Sequence, residues 1–424
     1  MVAGKEAGPN IICIMADDLG WNDVGWQSTD DIQTPHIDAL MANGTWGYCK
    51  ETYLPTARGF HDFYGYYMGA EYYYNHSLCQ SKTSAQSRWE NCAPGVDVQG
   101  LDFWSNSTAD WGQDGVYSTT IFRDKAIQFV ETMSNKSNPF FLYLAFQSVH
   151  YPLQLPPEEF MEGCEQTRRD RQIYCGMVKA MDAAIGAVVE ALKRGGLYNN
   201  TIIAFSNDNG GQVRFGGNNW PLRGNKDTLW EGGTRAVSFL HSPRFLPPLT
   251  RVSNKLFSIV DWFPTLLSAA GRQMPRHGDG MNQWGMIRSG GASGVRQTLV
   301  YNIAKGGSAI RQGWYKLVLG SGGKLDGWYA PEHKPPLSSS ADTAQPNLHL
   351  LPMPPRKSKT LRLYHLLSDP LEKVDLSGKR PQVVRKLKKL YNSLRKLEHP
   401  SVHRPTDPRG NPSNFNGTFA TGWC

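Results

Sequence analysis

The sequence predicts an α/β fold in which a large, mostly parallel sheet is flanked by helices. Residues 10–16 and 202–205 are short apolar runs without polar alternation, which is the pattern of strands buried on both faces of a parallel sheet. Apolar residues at helical spacing over 118–134 and 174–192 predict two amphipathic helices. Because helices that alternate with buried strands form crossover connections, these segments indicate an α/β sheet with helices on its faces.

The C-terminal part of the chain has a different pattern, which predicts a smaller antiparallel sheet. From about residue 297 the chain contains short runs of apolar and β-branched residues. The predicted strands are 298–303, 308–311, 314–319 and 361–366. An amphipathic helix over 383–397 is expected to close this sheet. We therefore predict an N-terminal α/β domain, residues 1–296, and a smaller C-terminal α+β subdomain, residues 297–424.

Three further elements are predicted between the first two strands. Residues 34–40 begin with Thr34 as a candidate N-cap and Pro35 at the first helical position, and they predict a helix. The polar span 79–112 is predicted to be a loop. Residues 139–146 are mostly apolar and predict a third strand.

A divalent metal site is predicted from four side chains that carry oxygen donors. Asp17 and Asp18 come after the run at 10–16, and Asp208 and Asn209 come after the run at 202–205. If both runs belong to one parallel sheet, all four converge at its carboxyl edge, where open α/β sheets bind ligands. Adjacent carboxylates are costly to bury unless a cation or hydrogen-bond donors compensate them, and hard oxygen donors suit Ca²⁺ or Mg²⁺. The alternative is a turn without a ligand.

Basic residues near the same edge indicate an anionic substrate. Arg223, Lys226 and Arg235 follow the predicted metal residues, and His150 follows the third predicted strand. These side chains are within reach of an anion that also contacts the metal. For His150 an ordinary position at the end of a strand remains an equal alternative.

Several features are typical of a protein of the secretory pathway. The glycosylation acceptor pattern is found at Asn75, Asn106, Asn135, Asn199 and Asn416. Two pairs of cysteines are spaced closely enough to close small loops as disulfides; the pairs are Cys79–Cys92 and Cys164–Cys175. The remaining cysteines are odd in number, and they are Cys13, Cys49 and Cys424. The first ten residues lack the apolar region of a signal peptide. We expect a lysosomal or extracellular protein whose signal peptide is not part of this sequence.

The net charge of +8 is concentrated toward the C-terminus. About a third of the Lys and Arg residues fall between Arg356 and Arg409. Nucleic-acid binding is one interpretation, but the helical spacing of Val383, Leu387 and Leu390 favours an amphipathic helix with a solvated basic face. Such a face would also suit a polyanionic sugar. No apolar run reaches the length of about 18 residues that a transmembrane helix needs.

Taken together, these segments resemble the sulfatases, and within that family the arylsulfatase B (N-acetylgalactosamine-4-sulfatase) type. The matching segments read PNIICIMADDLGWND at 9–23, TPHID at 34–38, LPTARGF at 54–60, LAFQSVHYPLQ at 144–154, DNGG at 208–211 and LWEGG at 229–233. The most specific is the block NNWPLRG at 218–224, which favours the subfamily. The resemblance covers nearly the whole chain.

The resemblance implies a fold similar to that of alkaline phosphatase and the hydrolysis of sulfate esters. The substrates would be aryl sulfates or sulfated N-acetylgalactosamine units of glycosaminoglycans. Asp17, Asp18, Asp208 and Asn209 would hold one Ca²⁺. His150 and Lys226 would contact the sulfate, and Arg223 would bind substrate. In the family, the metal and the cations neutralise the sulfate oxygens while the S–O bond is attacked.

One departure from the family concerns the nucleophile. Sulfatases use a formylglycine that is made from the cysteine of a Cys-x-Pro-x-Arg motif, and this sequence does not contain that motif. Cys92-Ala93-Pro94 lacks the arginine. By the resemblance, some tens of residues are missing between Gly44 and Trp46. We therefore expect a chain without covalent catalysis, whose core is incomplete after Gly44.

Two other functions remain open at this point. A related metal-dependent phosphodiesterase would need a Thr or Ser nucleophile and more metal-binding His and Asp residues, and Thr45 is the only hydroxyl near the right place. A non-catalytic protein that binds sulfated glycans would use Lys226, Arg223 and the basic C-terminal helix. Salt-sensitive binding without release of sulfate would favour the latter.

Overall fold

The described part of the protein, a computed structural model, consists of residues 8–21, 23, 54–80, 98–165, 169–246, 252–273, 278–290, 294–304, 306–330, 361–398 and 408–420. The predicted helix at 34–40 and the predicted break between Gly44 and Trp46 lie outside these residues. Cys92, the second residue of the expected Cys79–Cys92 pairing, also lies outside them, as do Cys49 and Cys424.

In these ranges the chain forms thirteen strands, which belong to four sheets. The strands are β1 (Asn10–Ala16), β2 (Tyr64–Gly65), β3 (Ser77–Gln80), β4 (Val98–Leu101), β5 (Trp104–Ser105), β6 (Thr108–Ala109), β7 (Phe141–Ala145), β8 (Thr201–Asn207), β9 (Ser238–His241), β10 (Thr298–Ile303), β11 (Gly307–Gln312), β12 (Tyr315–Gly320) and β13 (Leu361–His365). The α-helices of the same ranges are α1 (Ser118–Ser134), α2 (Arg169–Arg194), α3 (Glu231–Thr234), α4 (Trp262–Ala269), α5 (Trp284–Arg288) and α6 (Pro381–Leu394).

The central sheet has the strand order β7-β1-β8-β9. Strands β7, β1 and β8 are parallel, so that Ile12 lies opposite both Leu142 and Ile203, whereas β9 pairs antiparallel with β8 at the edge. Every residue of β1 and β8 is buried, which explains why both runs are apolar without alternation. This arrangement confirms the predicted, mostly parallel sheet.

Helices α1 and α2 pack on each other and bury their apolar stripes in the main core. In α2, Met177, Met181 and Ile185 follow each other at intervals of four residues and have no exposed surface. Burial of each such side chain stabilises the fold by about 1.5–3 kcal/mol. A disulfide joins Cys164 to Cys175 and thereby ties the preceding loop to α2.

The structure agrees with most of the predicted elements of this domain. The helix predicted over 118–134 is α1, and the one predicted over 174–192 lies within α2. The prediction of a loop over 79–112 was wrong, because β4, β5 and β6 lie in that span. These strands have only two to four residues, which is too short to show an alternating pattern. Strand β4 pairs with β3, and β5 and β6 pair with each other.

The second sheet is antiparallel, with the strand order β10-β11-β12-β13. Successive side chains along its strands point to opposite faces of the sheet. Ala309, Val318 and Tyr364 pack with Trp230, whereas Ile310, Leu317 and Leu363 pack under Leu387 of α6. This confirms the predicted small antiparallel sheet closed by a helix; the domain boundary at residue 296 stays a prediction.

Among the described residues, no helix combines the length and the apolar character that crossing a bilayer requires.

Candidate functional site

The predicted metal residues meet at the carboxyl edge of the central sheet. Because β1 and β8 are parallel and Ala16 lies opposite Asn207, the residues that follow both strands leave the sheet at the same level. The backbone N–H of Asp18 donates to Oδ1 of Asp208 at 3.2 Å. His150, which follows β7, brings Nε2 to 3.7 Å from Oδ2 of Asp18.

Two further side chains complete this cluster, which we call the sheet-edge site (Asp17, Asp18, His150, Asp208, Asn209 and Lys226). The ammonium nitrogen of Lys226 lies 2.6 Å from Oδ1 of Asp18, and Nδ2 of Asn209 donates to the same oxygen at 2.8 Å. Donor atoms of Asp17, Asp18 and His150 lie within 4.8 Å of one another. Five residues that follow three strands, together with Lys226 from a later loop, thus lie around Asp18 at the sheet edge.

The carboxylates of the sheet-edge site strongly disfavour one another's ionisation. Burial, followed by the charge of Asp18, raises the pKa of Asp17 to about 7. Burial and the two neighbouring carboxylates raise the pKa of Asp208 well above its ordinary value. Burial alone would lower the pKa of Lys226, but the charges of Asp18 and Asp17 raise it above its ordinary value. The site therefore holds more negative charge than its own cation offsets.

These residues fit a hard divalent cation. Three carboxylates and one ammonium leave a net charge of −2 when all four are ionised. Oδ1 of Asp17 is buried and has no hydrogen-bond partner among the described residues. The amide of Asn209 can present its oxygen instead of its nitrogen after a half-turn. Buried carboxylate oxygen without a donor and an uncompensated charge of −2 are what a Ca²⁺ or Mg²⁺ ion would satisfy.

Asp23 and Tyr174 hold the loop that carries Asp17 and Asp18. Oδ2 of Asp23 accepts from the N–H of Gly20 at 2.9 Å, from the N–H of Asn218 at 2.8 Å and from the hydroxyl of Tyr174 at 2.8 Å. The guanidinium of Arg171 lies 2.6 Å from Oδ1 of Asp23. Residues far apart in sequence thereby lock this loop against the loop that contains Asn218.

Sequence reasoning assigned no role to this support. Asp23 lies in the segment that matches the sulfatases, but its pattern does not distinguish a metal ligand from a hydrogen-bond hub. Tyr174 sits within an amphipathic helix, where an apolar position is the ordinary interpretation. Only the hydrogen bond between Tyr174 and Asp23 in the folded chain identifies these two residues as a support of the loop.

Two asparagines connect the remaining loops of the site. Asn219 accepts from the N–H of Gly211 at 2.8 Å and donates to the carbonyl of Gly211 at 2.9 Å. Asn207 donates to the carbonyls of Leu19 and Asn209, at 2.5 Å each. Buried amides with both ends paired hold loop backbones in a single arrangement. Both asparagines therefore position backbone rather than bind a ligand directly.

The turn after Asn209 packs against α3 without room for a side chain. A Cβ on Gly210 would lie 1.8 Å from the carbonyl oxygen of Gly232. The N–H of Gly210 donates to the carbonyl of Gly233 at 3.1 Å. Glycine is required here because the two backbones touch, and α3 is therefore a direct support of the sheet-edge site.

Arg223, which the sequence analysis predicted to bind substrate, lies where the loop after β8 contacts the second sheet. Its Nε donates to the carbonyl of Asp326 at 2.7 Å, and Nη1 donates to the hydroxyl of Tyr364 at 3.1 Å. The guanidinium lies 3.7 Å from the ring centroid of Trp230, and its side chain is 13% exposed. These contacts assign Arg223 to packing, and they leave little of it for a ligand.

A buried ionic cluster lies beside Arg223, and we call it the seam cluster (Glu231, Tyr301, Lys316 and Glu372). The ammonium nitrogen of Lys316 lies 2.8 Å from Oε1 of Glu231 and 2.9 Å from Oε1 of Glu372. The hydroxyl of Tyr301 donates to Glu231 at 3.1 Å, and the N–H of Glu231 donates to Glu372 at 2.7 Å. Because Glu231 begins α3, this cluster joins the second sheet to the support of the sheet-edge site.

The asparagines of the glycosylation acceptor patterns are all on the surface. Each of them is exposed: Asn75, Asn106, Asn135, Asn199 and Asn416. Exposure is a requirement for modification by a bulky glycan, so the position of these residues is compatible with the prediction.

Comparisons with known proteins agree on one family. The sequence model of the sulfatase family matches residues 44–272. Mouse arylsulfatase J is 32% identical over 501 aligned positions, which cover 97% of this chain and 80% of the relative. Human arylsulfatase A is 26% identical, with 90% of this chain and 87% of the relative covered.

Two solved structures have a similar fold. The crystal structure of Ps i-CgsB superposes with a TM-score of 0.68 at 25% identity, and the match covers 90% of this chain and 92% of the other. The crystal structure of the PsFucS1 sulfatase from Pseudoalteromonas sp. superposes with a TM-score of 0.63 at 18% identity, covering 94% of this chain. The second likeness concerns the fold alone.

Proposed function

Because the chain belongs to the sulfatase family, a family of sulfuric ester hydrolases, we propose that its sheet-edge site binds one Ca²⁺ and the sulfate group of an arylsulfatase substrate. The observation that supports this most is the excess of carboxylates over cations around Asp17, whose buried Oδ1 has no partner among the described residues. A divalent cation would compensate the carboxylates and coordinate the oxygen that lacks a partner.

In this proposal each residue of the site has one role. Asp17, Asp18, Asp208 and Asn209 hold the cation, which supplies positive charge against the sulfate oxygens when it is bound. Lys226 and His150 are close enough to Asp18, at 2.6 Å and 3.7 Å, to contact a sulfate at the same place. Both provide positive charge or N–H donors that are held in position before an ester binds.

The substrate class that we propose is that of arylsulfatase B. The block NNWPLRG at 218–224 supports this choice, and Asn218, Asn219 and Arg223 of that block shape the loops around the site. A sulfated N-acetylgalactosamine unit of a glycosaminoglycan, or an aryl sulfate, would then be the ligand. We propose for the same reason a place in the secretory pathway, in the lysosome or outside the cell.

We further propose that this chain does not hydrolyse its ligand as its sequence stands. No Cys-x-Pro-x-Arg motif is present to provide formylglycine. The alignment with arylsulfatase J has 501 positions against 424 residues here, so at least 77 aligned positions have no counterpart in this chain. This supports an internal loss such as the one expected between Gly44 and Trp46. The chain would then be a sulfated-glycan-binding pseudoenzyme or a variant of an active sulfatase.

Two measurements on the purified chain test this function. Isothermal titration with Ca²⁺ is expected to give one site per chain, and a chromogenic aryl sulfate is expected to show no turnover. Asp208→Ala should remove Ca²⁺ binding, whereas Asp124→Ala, at a surface position, should leave it unchanged. Absence of Ca²⁺ binding by the unaltered chain would contradict the site, and turnover that Asp208→Ala abolishes would contradict the loss of catalysis.

The origin of the missing segment is tested by a full-length transcript read across codons 44–46 and compared with the genomic locus. A longer product that carries Cys-x-Pro-x-Arg at this point would assign the locus to an active sulfatase and this chain to a variant of it. An uninterrupted junction in both message and genome would favour the pseudoenzyme.

A further inference from the structure

The segment around α6 carries nearly all of the net charge of the protein. Residues 379–398 contain eight Lys and Arg and one Glu, a net charge of +7, while the whole chain has +8. The rest of the sequence is therefore almost neutral. Six of these cations lie on α6 and the turn that follows it, and all are exposed: Arg385, Lys386, Lys388, Lys389, Arg395 and Lys396. We call this surface the α6 basic face.

The α6 basic face and the sheet-edge site lie on opposite sides of the second sheet. Helix α6 packs through Leu387 on Ile310, Leu317 and Leu363. The other face of the same sheet packs on Trp230, next to the seam cluster and α3. The α6 basic face and the sheet-edge site are therefore separate surfaces, and a ligand that binds to one need not contact the other.

Stability does not account for this distribution of charge. Lys379 and Arg380 stand at the N-terminal end of α6, where the helix dipole disfavours cations, and the first turn contains no acidic residue. Arg385 and Lys389 are four residues apart on the helix, a spacing at which like charges repel. The one acidic residue of the segment, Glu398, lies 3.8 Å from Arg395. A bound polyanion would offset this repulsion.

We propose that the α6 basic face is an exosite for a sulfated polysaccharide chain. The proposal rests on the proposed function for the chemistry of this ligand, but it uses a different surface. Sites for single-stranded nucleic acids combine cations with exposed aromatic rings on which bases stack. The aromatic residue of α6, Tyr391, is half-buried against the second sheet, with its hydroxyl 3.5 Å from that of Ser308. The apolar face of α6 is also covered by this sheet, which disfavours insertion into a lipid surface.

The test measures binding of the full chain to chondroitin sulfate as a function of salt. The α6 variant carries Arg385→Gln, Lys386→Gln, Lys388→Gln and Lys389→Gln. A control variant removes the same charge from exposed positions elsewhere: Lys136→Gln, Lys255→Gln, Arg272→Gln and Arg288→Gln. At low ionic strength the α6 variant is expected to bind roughly tenfold more weakly, with a shallower dependence on salt, because fewer counterions are released. The control variant should change affinity by less than about twofold.

Thermal unfolding followed by circular dichroism shows whether the α6 variant is folded. Its melting temperature should not fall, because the substitutions remove like-charge repulsion. If both variants bound chondroitin sulfate equally weakly, the net charge of the chain would explain the binding, and the exosite would be contradicted. Tighter binding to RNA or to phosphatidylserine vesicles than to chondroitin sulfate would also overturn it. Asp208→Asn should leave polymer binding intact. An unaltered chain that binds chondroitin sulfate through the α6 basic face but does not bind Ca²⁺ would contradict only the proposed function.

Discussion

Two groups of buried carboxylates in this protein differ in how their charge is compensated. In the seam cluster, Lys316 lies within 2.9 Å of both Glu231 and Glu372, and Tyr301 donates to Glu231 as well. In the sheet-edge site, Lys226 lies 2.6 Å from Asp18, while Oδ1 of Asp17 has no partner among the described residues. The first group is nearly neutralised by protein atoms, and the second is not.

This difference shows why acidic residues alone do not identify a metal site. Both groups combine buried carboxylates with a lysine, and both raise the pKa of at least one carboxyl group: that of Glu372 to about 7 and that of Asp17 to about 7, each mainly through burial. Burial without a partner costs several kcal/mol per ion in real proteins. In the seam cluster protein atoms compensate most of the charge, whereas in the sheet-edge site a bound cation would remove the remaining deficit.

The largest effect should come from breaking the seam cluster. Lys316→Met leaves Glu231 and Glu372 buried without their cation, so the free energy of unfolding should fall by about 3–5 kcal/mol. Chemical denaturation measures this loss. The triple variant Lys316→Met, Glu231→Met and Glu372→Met should recover part of it, and Lys255→Met at an exposed position should have little effect. A loss below about 1 kcal/mol in the single variant would show that the cluster does not support the fold.

A smaller effect is expected when metal is removed from the sheet-edge site. Ca²⁺ at about 100 times its Kd should raise the free energy of unfolding by about 2.7 kcal/mol, and a chelator should abolish this increase. Thermal unfolding with and without Ca²⁺ measures it.

The matched variant for this effect is Asp208→Asn. It should unfold at a higher temperature than the unaltered chain in chelator, because one repelling carboxylate is gone, and it should no longer respond to Ca²⁺. If Ca²⁺ stabilised this variant as much as the unaltered chain, the ion would bind elsewhere.

A third effect concerns pH and the carboxyl groups away from the sheet edge. Burial raises the pKa of Glu372 to about 7 and that of Asp102 to about 6. Between its ordinary value and this raised pKa, each group binds more protons in the folded than in the unfolded chain. Their contribution to stability is therefore present at acid pH and is lost as pH rises through these values. We expect the free energy of unfolding to decrease between pH ~5 and pH ~8 in saturating Ca²⁺.

Chemical denaturation across this pH range tests the expectation. Glu372→Gln should flatten the profile, while Glu398→Gln, at an exposed position, should leave it unchanged. Stability that increases with pH over the same range would contradict the assignment of Glu372 as a group that is protonated in the fold.

Much of the sheet-edge site was accessible from the sequence because local patterns determine it. The apolar runs of β1 and β8 predict parallel strands, and parallel strands bring Asp17, Asp18 and Asp208 to one edge. The sequence analysis predicted that Arg223 binds substrate because it lies only three residues from Lys226, whereas in the structure Arg223 is a packing residue. Its partners Asp326, Tyr364 and Glu372 are 103, 141 and 149 residues away. No local pattern predicts which of two neighbouring cations faces a ligand and which one packs.

The sequence by itself therefore determined the α/β class, the second antiparallel sheet, the family and the convergence of the acidic side chains. The fold class, the second sheet and the convergence of the acidic side chains follow from short-range periodicity and from the direction of parallel strands, whereas the family follows from the resemblance of motifs such as DNGG at 208–211. Only the tertiary structure decided that Lys226 faces the carboxylates, that Asp23 and Tyr174 hold their loop, and that Lys316 joins the second sheet to α3. The physical reason is that compensation of a buried charge depends on distances between residues far apart in the chain, and only the packed fold sets those distances.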